Sequence, residues 1–255
     1  MPTLLYRGTG LVKGKSFNNW RPVGPVLPSV KIYSKREVDE ILFIDLNASE
    51  LGHQPNYALV SMVASHCSMP LAVGGGINSV ETIQNLLLTG ADKIVLNSVI
   101  YENPGLVEAA ANRFGSQCLI GSIDVKTSKR NDWTCFSHGG RVCEQQSLSY
   151  CAKNLENLGV GEILVCSIDK DGSLQGFDTE MVKEVVSTVD LPVIASGGAG
   201  EPQHFVDVIA NAGASAVAAS SIFHFTQHTP SVIKKICLEN GINVRVPSKN
   251  LTKLF

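Results

Sequence analysis

Short apolar runs alternate along this chain with longer segments in which apolar residues recur at helical spacing. Such alternation is typical of repeated strand–helix units and a parallel sheet. The pattern predicts eight strands, near Thr3–Tyr6, Glu40–Leu46, Leu71–Val73, Lys93–Asn97, Cys118–Asp124, Glu162–Ile168, Val193–Ser196 and Ala216–Ser220. It predicts helices between them, including Ser79–Leu88, Asn103–Arg113, Thr179–Thr188, Pro202–Ala212 and Ser231–Glu239. The expected fold is an α/β (β/α)8 barrel, or TIM barrel.

The two halves of the chain repeat each other. Glu40-Ile41-Leu42 recurs as Glu162-Ile163-Leu164, and Gly75-Gly76 recurs as Gly197-Gly198, in both cases 122 positions later. In a chain of 255 residues, this shift indicates a tandem duplication of half the protein. We therefore expect one domain, residues 1–255, built from two duplicated half-barrels.

Two segments are too long for simple turns. Gly14 to Ser29 is predicted to be a long loop after the first strand, and Lys126 to Ser147 follows the fifth strand. The second segment contains Asp132-Trp133-Thr134-Cys135-Phe136, which predicts a small hairpin. Loops of this length in a compact domain usually carry function, and these two occupy equivalent places in the two halves.

Composition excludes several classes of protein. The net charge of −2 gives no general attraction to nucleic acid or membrane surfaces. No apolar stretch reaches the roughly eighteen residues of a membrane span, so we expect a soluble, cytoplasmic protein. The seven cysteines form no CxxC pair and the six histidines show no metal-ligand spacing, so we expect neither metal nor cofactor.

In barrels of this type the active site lies at the carboxyl ends of the strands. Glycine-rich turns there expose backbone N–H groups that suit phosphate, and they predict two phosphate sites in repeat-equivalent places. The alternative is that the glycines only permit tight turns. With neighbouring polar residues, the predicted substrate-binding set is Asp45, Gly75, Gly76, Asn97, Ser98, Asp171, Gly172, Gly197, Gly198 and Ser221.

Charged residues also stand at both ends of the predicted barrel. Asp124 ends the fifth strand and is a candidate general acid or base; the alternative is a loop cap or a partner for Lys126. Glu40, Lys93 and Glu162 stand at strand starts, where charged residues most often form a stabilising ion-pair ring. The alternative for these three is a gate to a passage along the barrel axis.

These pieces together resemble the HisF family, the cyclase subunits of imidazole glycerol phosphate synthase. The resemblance implies ammonia supplied by a glutamine amidotransferase partner, a passage along the barrel axis and a doubly phosphorylated substrate. It implies catalytic roles for Asp124 and Lys13, an ammonia-channel entrance at Glu40, Lys93 and Glu162, and a partner contact at Asp92. The resemblance rests on Val12-Lys13-Gly14, Asp39-Glu40-Ile41-Leu42, Val73-Gly74-Gly75-Gly76-Ile77, Gly90-Ala91-Asp92-Lys93, Ser122-Ile123-Asp124-Val125-Lys126, Ser167-Ile168-Asp169-Lys170-Asp171-Gly172 and Ala195-Ser196-Gly197-Gly198.

The chain departs from the family pattern at one position. The family's first-strand catalytic Asp falls at Leu5, and leucine cannot transfer a proton. A paralogous branch associated with acetamidino modification of surface-polysaccharide (lipopolysaccharide O-antigen) sugars resembles the chain in this respect. We therefore expect an ammonia-using subunit of that branch. The alternatives are the cyclase of histidine biosynthesis and a non-catalytic partner that channels ammonia.

Overall fold

The computed structural model describes residues 1–128 and 132–246. The tail 250–255, to which the sequence assigned no role, lies outside them. Within the described residues the strands are β1 Thr3–Arg7, β2 Gly10–Lys15, β3 Asn18–Gly24, β4 Ile41–Asp45, β5 Leu71–Gly74, β6 Lys93–Leu96, β7 Leu119–Thr127, β8 Trp133–Ser137, β9 Val142–Ser147, β10 Glu162–Ser167, β11 Val193–Ser196 and β12 Ala216–Ala218.

Parallel pairing runs through eight of these described strands in the order β1, β4, β5, β6, β7, β10, β11 and β12. A parallel bridge between Pro2 and Ala219 joins the last strand to the first, and the Thr3 N–H donates to the Ala219 carbonyl at 2.9 Å. The sheet therefore closes on itself, and the predicted (β/α)8 barrel is confirmed.

Helices follow the barrel strands. In the described part of the chain they are α1 Val26–Lys35, α2 Leu46–Leu51, α3 Tyr57–Ala64, α4 Val80–Thr89, α5 Ser98–Glu102, α6 Pro104–Phe114, α7 Leu148–Asn157, α8 Thr179–Thr188, α9 Pro202–Ala210, α10 Ser221–Phe225 and α11 Pro230–Glu239. The longer ones pack on the outside of the sheet, whereas the short helices α2, α5 and α10 contribute to the mouth of the barrel. Polar side chains cap several of the helices: Ser79 accepts a hydrogen bond from the first turn of α4, and Asp178 from that of α8. None of the described helices is long and apolar enough to cross a membrane.

Alternation along the strands divides the apolar residues between two layers. On β4, Ile41 and Phe43 join the large core between sheet and helices, whereas Leu42 points into the barrel. The interior layer is small and apolar, and comprises Leu42, Ala72, Val95, Ile120, Leu164, Ile194 and Ala218. The barrel axis is therefore filled by aliphatic side chains between a polar mouth and a charged floor.

The prediction of a long loop over Gly14 to Ser29 is wrong. This segment holds the turn and second strand of an antiparallel hairpin, β2–β3, and then the start of α1 at Val26. Pro22 and Pro25 obscured the strand in the sequence, but β3 is an edge strand, where a missing N–H is tolerated. The predicted hairpin after the fifth barrel strand is confirmed as β8–β9.

Candidate functional site

The carboxyl ends of the barrel strands surround a cavity of about 690 Å³, here called the mouth cavity. Its walls include most of the residues that the sequence predicted for the site: Lys13, Gly75, Gly76, Asn97, Ser98, Asp124, Asp171, Gly172, Gly197, Gly198 and Ser221. Asp45 is not among the lining residues. Its carboxylate accepts a hydrogen bond from the Ala48 N–H at 3.1 Å and caps α2, behind the turn that carries Gly75.

Asp124 is a buried carboxyl group on β7, three residues before that strand ends at Thr127. Asn97, at the end of the neighbouring strand β6, donates its amide to Asp124 Oδ2 at 3.1 Å and to the Ser122 carbonyl at 3.2 Å. Burial, and secondarily the charge of Asp171, raise the pKa of Asp124 to about 7, against the lowering effect of the Asn97 hydrogen bond. Asp124 can therefore hold or release a proton near neutral pH.

Lys13 and Asp171 form a buried ion pair beside Asp124. The Lys13 ammonium lies 2.7 Å from Asp171 Oδ1, and both side chains are less than 10% exposed. Asp171 Oδ2 is buried and has no hydrogen-bond partner among the described residues. A buried carboxylate oxygen without a partner is costly, so this atom is available for a ligand that donates a hydrogen bond.

The glycine turns have the same construction in both halves. Gly75 and Gly197 adopt φ of 103° and 91°. A Cβ on Gly75 would lie 2.1 Å from the Asp45 carbonyl oxygen, and one on Gly197 would lie 2.6 Å from that of Ser167. Asp45 and Ser167 are also 122 positions apart, so the duplication extends to the backbone contacts of these turns. Glycine is required at both places by space as well as by conformation.

Two buried polar atoms without partners belong to residues that line the same cavity as these turns. Asn97 Oδ1 and Ser221 Oγ are buried without hydrogen-bond partners in the described part of the chain. They stand at the starts of the short helices α5 and α10, which follow repeat-equivalent strands. The Ser98 hydroxyl, in contrast, has a partner, since it accepts a hydrogen bond from the His138 N–H at 3.0 Å.

Strand register shows that Leu5 and Asp124 are equivalent positions. Leu5 on β1 pairs with Ile44 on β4, and Asp124 on β7 pairs with Cys166 on β10. Ile44 and Cys166 are 122 positions apart. Leu5 and Asp124 both line the mouth cavity, from the first and fifth barrel strands. The mouth therefore carries an acid on one side and an aliphatic side chain on the other.

The floor of the barrel carries the predicted charge cluster. The Lys93 ammonium lies 2.9 Å from Glu40 Oε2 and 2.7 Å from Glu162 Oε1. Burial raises the pKa of Glu40, and the hydrogen bond from Lys93 offsets this in part. Asp92 lies next to the cluster, exposed, and one of its oxygens accepts a hydrogen bond from the Leu71 N–H at 2.8 Å.

Sequence reasoning missed the polar groups on the rim of the mouth cavity. Arg7 and Arg141 both form ion pairs with Glu50, and His138 Nε2 lies 2.7 Å from Glu102 Oε1. All five side chains line the cavity. Arg7 could have been found, because it follows Leu5 by two positions and so points to the same face of the strand. The other four depend on hairpin and helix packing that no local pattern reports.

Comparisons with known proteins give consistent matches. The sequence model described as "Histidine biosynthesis protein" matches residues 6–229. The chain is 39% identical over 246 residues to the imidazole glycerol phosphate synthase subunit HisF of Staphylococcus carnosus, covering 96% of this chain and 97% of that protein. It is 42% identical over 234 residues to the HisF subunit of Limosilactobacillus fermentum, covering 91% and 90% of the two chains.

Proposed function

This chain belongs to the histidine biosynthesis protein family and is a HisF-like enzyme subunit, and from that premise we propose what it does with its site. It accepts ammonia from a glutamine amidotransferase partner and adds it to a phosphorylated acceptor bound in the mouth cavity. The two glycine turns hold the acceptor's phosphates, and Asp124 transfers protons at the reacting centre. Lys13 positions and screens the neighbouring Asp171.

The comparisons favour the histidine-biosynthesis alternative over the sugar modification that the sequence analysis placed first. The relatives reported above are named as imidazole glycerol phosphate synthase subunits. The first candidate reaction is therefore the cyclase and lyase step of that synthase. Acetamidino modification of a sugar becomes the second candidate.

One observation supports an enzyme with this site above all others. Asp124 is a buried carboxyl group that lines a large cavity, with a pKa of about 7, between repeat-equivalent glycine turns. A carboxyl group with a pKa near the working pH is an efficient proton-transfer group. The phosphate turns bring the reacting part of the acceptor to its side, so binding and proton transfer are combined in one place.

Leu5 is the specific observation that keeps the second candidate open. Ring closure by opposed acid and base groups needs two ionisable side chains, and the strand-one position holds none. An amidination that uses only one acid at this site would tolerate a leucine there. The sugar-modifying reaction therefore agrees with the side chains of the mouth, whereas the histidine-pathway reaction agrees with the names of the related proteins.

The test is a turnover assay on the purified chain with an ammonium salt and the doubly phosphorylated substrate of histidine biosynthesis. We expect turnover, and we expect the gene to restore growth to a histidine auxotroph that lacks its own cyclase. A folded protein that fails both would exclude the first candidate. Amidination of an acetamido sugar nucleotide by the same preparation with its amidotransferase would then establish the second.

A further inference from the structure

Three charged side chains on the rim of the mouth cavity form a group that the proposed reaction does not use; we call them the rim cluster. Arg7 Nη2 lies 2.7 Å from Glu50 Oε2, and Arg141 Nη1 lies 3.7 Å from Glu50 Oε1. The two guanidinium groups thus approach different oxygens of one carboxylate. All three side chains line the cavity, and both arginines are at least one third exposed.

The rim cluster joins the two half-barrels across the mouth. Arg7 is the last residue of β1 and shares its cavity face with Leu5. Arg141 belongs to the turn of the β8–β9 hairpin, which extends from β7 on the opposite side of the barrel. Phe17, near the turn of the β2–β3 hairpin, lies against Gly140, so the two hairpins meet where the arginines converge.

The mouth cavity as a whole has no excess of positive charge, since Glu50, Glu102 and Asp171 offset Arg7, Lys13 and Arg141. The rim cluster taken alone is positive. Inside the cavity, Lys13 and Asp171 neutralise each other at 2.7 Å. Among the described ion pairs, Glu50 is the partner shared by the two arginines, so this group of three carries one excess positive charge. Such a charge at a cavity entrance attracts anions. A guanidinium group offers paired N–H donors that match phosphate or carboxylate oxygens.

We propose that Arg7 and Arg141 together bind a further anionic group of the acceptor on the strand-one side of the mouth, a carboxylate or a phosphate other than those held by the glycine turns. This rests on the proposed function in one respect, that the mouth cavity is the acceptor's site. Glu50 holds the arginines together in the free protein and competes with the anion. Leu5, directly below, contacts an apolar face of the same part of the acceptor. The two arginines thus hold the acceptor's anionic group beside Leu5, the position at which the family pattern has its first-strand Asp.

The experiment is a calorimetric titration of the intact chain with two probes, inorganic pyrophosphate and glucuronate. We expect at least one probe to bind, and Arg7→Gln and Arg141→Gln each to weaken it about tenfold. The matched control is Arg113→Gln, an exposed arginine of α6 that donates to Gln84 away from the mouth. That variant should bind like the wild type. The probe that responds identifies the group as phosphate-like or carboxylate-like.

A further variant, Glu50→Gln, separates a binding site from a structural ion network. It removes the competing charge, so probe affinity should rise by about two- to fivefold. If Glu50→Gln weakens binding as much as the arginine variants, the cluster is structural and the proposal is wrong. It is equally wrong if neither probe binds the wild type, or if both arginine variants bind like Arg113→Gln. Because the readout is binding, a failed turnover assay would count against the proposed function alone.

Discussion

The ends of the first and fifth barrel strands share their architecture and differ in their chemistry. Each strand pairs with a following antiparallel hairpin strand at the cavity position: Leu5 with Val12, and Asp124 with Phe136. Their partners on the neighbouring parallel strands, Ile44 beside Leu5 and Cys166 beside Asp124, are 122 positions apart. Only the second end carries an acid. Duplication thus preserved the backbone around the mouth, whereas the side chains that face the ligand diverged.

The glycine turns show why the backbone was preserved. Any side chain at Gly75 or Gly197 would collide with a backbone carbonyl, so the fold itself fixes glycine at both places. No comparable constraint acts on Leu5, which faces the cavity and can be exchanged without repacking the core. Residues that the fold requires are therefore symmetrical, and residues that only the reaction requires are not.

The largest expected effect is the removal of the acid at the second end. Asp124→Asn keeps the shape of the side chain but cannot transfer a proton, so we expect kcat to fall by about 10²- to 10⁴-fold with KM little changed. The measurement is ammonia-dependent turnover, and Asp92→Asn, an exposed carboxylate at the floor, is the control. Full activity of Asp124→Asn would favour the hypothesis that the chain only channels ammonia.

Asp124→Asn should also remove a loss of folding free energy that the wild type undergoes as pH rises. The pKa of Asp124 is raised to about 7 in the folded protein, so folding loses free energy as pH rises from the unfolded pKa near 3.8 through 7. Asp124→Asn should match the wild type near pH 4 and exceed it by up to about 4 kcal/mol near pH 8. Urea unfolding at both pH values measures this. A difference that is equal at the two pH values would show that Asp124 titrates normally.

Much of the fold followed from periodicity, and the site only in part. Strand positions were predictable because buried strands give short apolar runs, and the glycine turns were predictable because they repeat. The role of Asp45 was ambiguous, because the end of a barrel strand is also the start of a helix. A carboxylate there can either bind a ligand or cap the helix, and Asp45 caps the helix. The meeting of Arg7 with Arg141 depends on a hairpin crossing the mouth, which leaves no local signal.

Alanine substitutions at the glycine turns test whether the two halves are constrained alike. Gly75→Ala and Gly197→Ala should each destabilise the fold by about 1–3 kcal/mol from the positive φ, and by more from the clash with backbone. Gly52→Ala is the control, since its φ of 67° is also positive but nothing lies within 4 Å of an added Cβ. Thermal unfolding compares the three. A loss at Gly52 equal to the other two would mean that conformation, not space, sets the constraint.

Restoring an acid at the first end should make the two strand ends chemically alike. Leu5→Asp places a carboxyl group opposite Asp124, and we expect turnover of the histidine-pathway substrate to rise about tenfold. Leu5→Asn is the matched control, because it is similarly polar but cannot ionise. Equal turnover in Leu5→Asp and the wild type would mean that the reaction does not use a second acid at this position.

The smallest expected effect lies at the floor, where the halves contribute one carboxylate each and Lys93 joins them. Lys93→Met removes the lysine that joins Glu40 and Glu162, and we expect a loss of about 1 kcal/mol because the groups are partly exposed. Ammonia-dependent turnover should persist, since the mouth is untouched, whereas glutamine-dependent turnover with the amidotransferase should fall. The ratio of the two rates is the measurement, and Lys153→Met, an exposed lysine paired with Glu156 on α7, is the control. An unchanged ratio would leave the cluster a stabilising ion pair only, and the symmetry of the floor would then reflect folding rather than ammonia transfer.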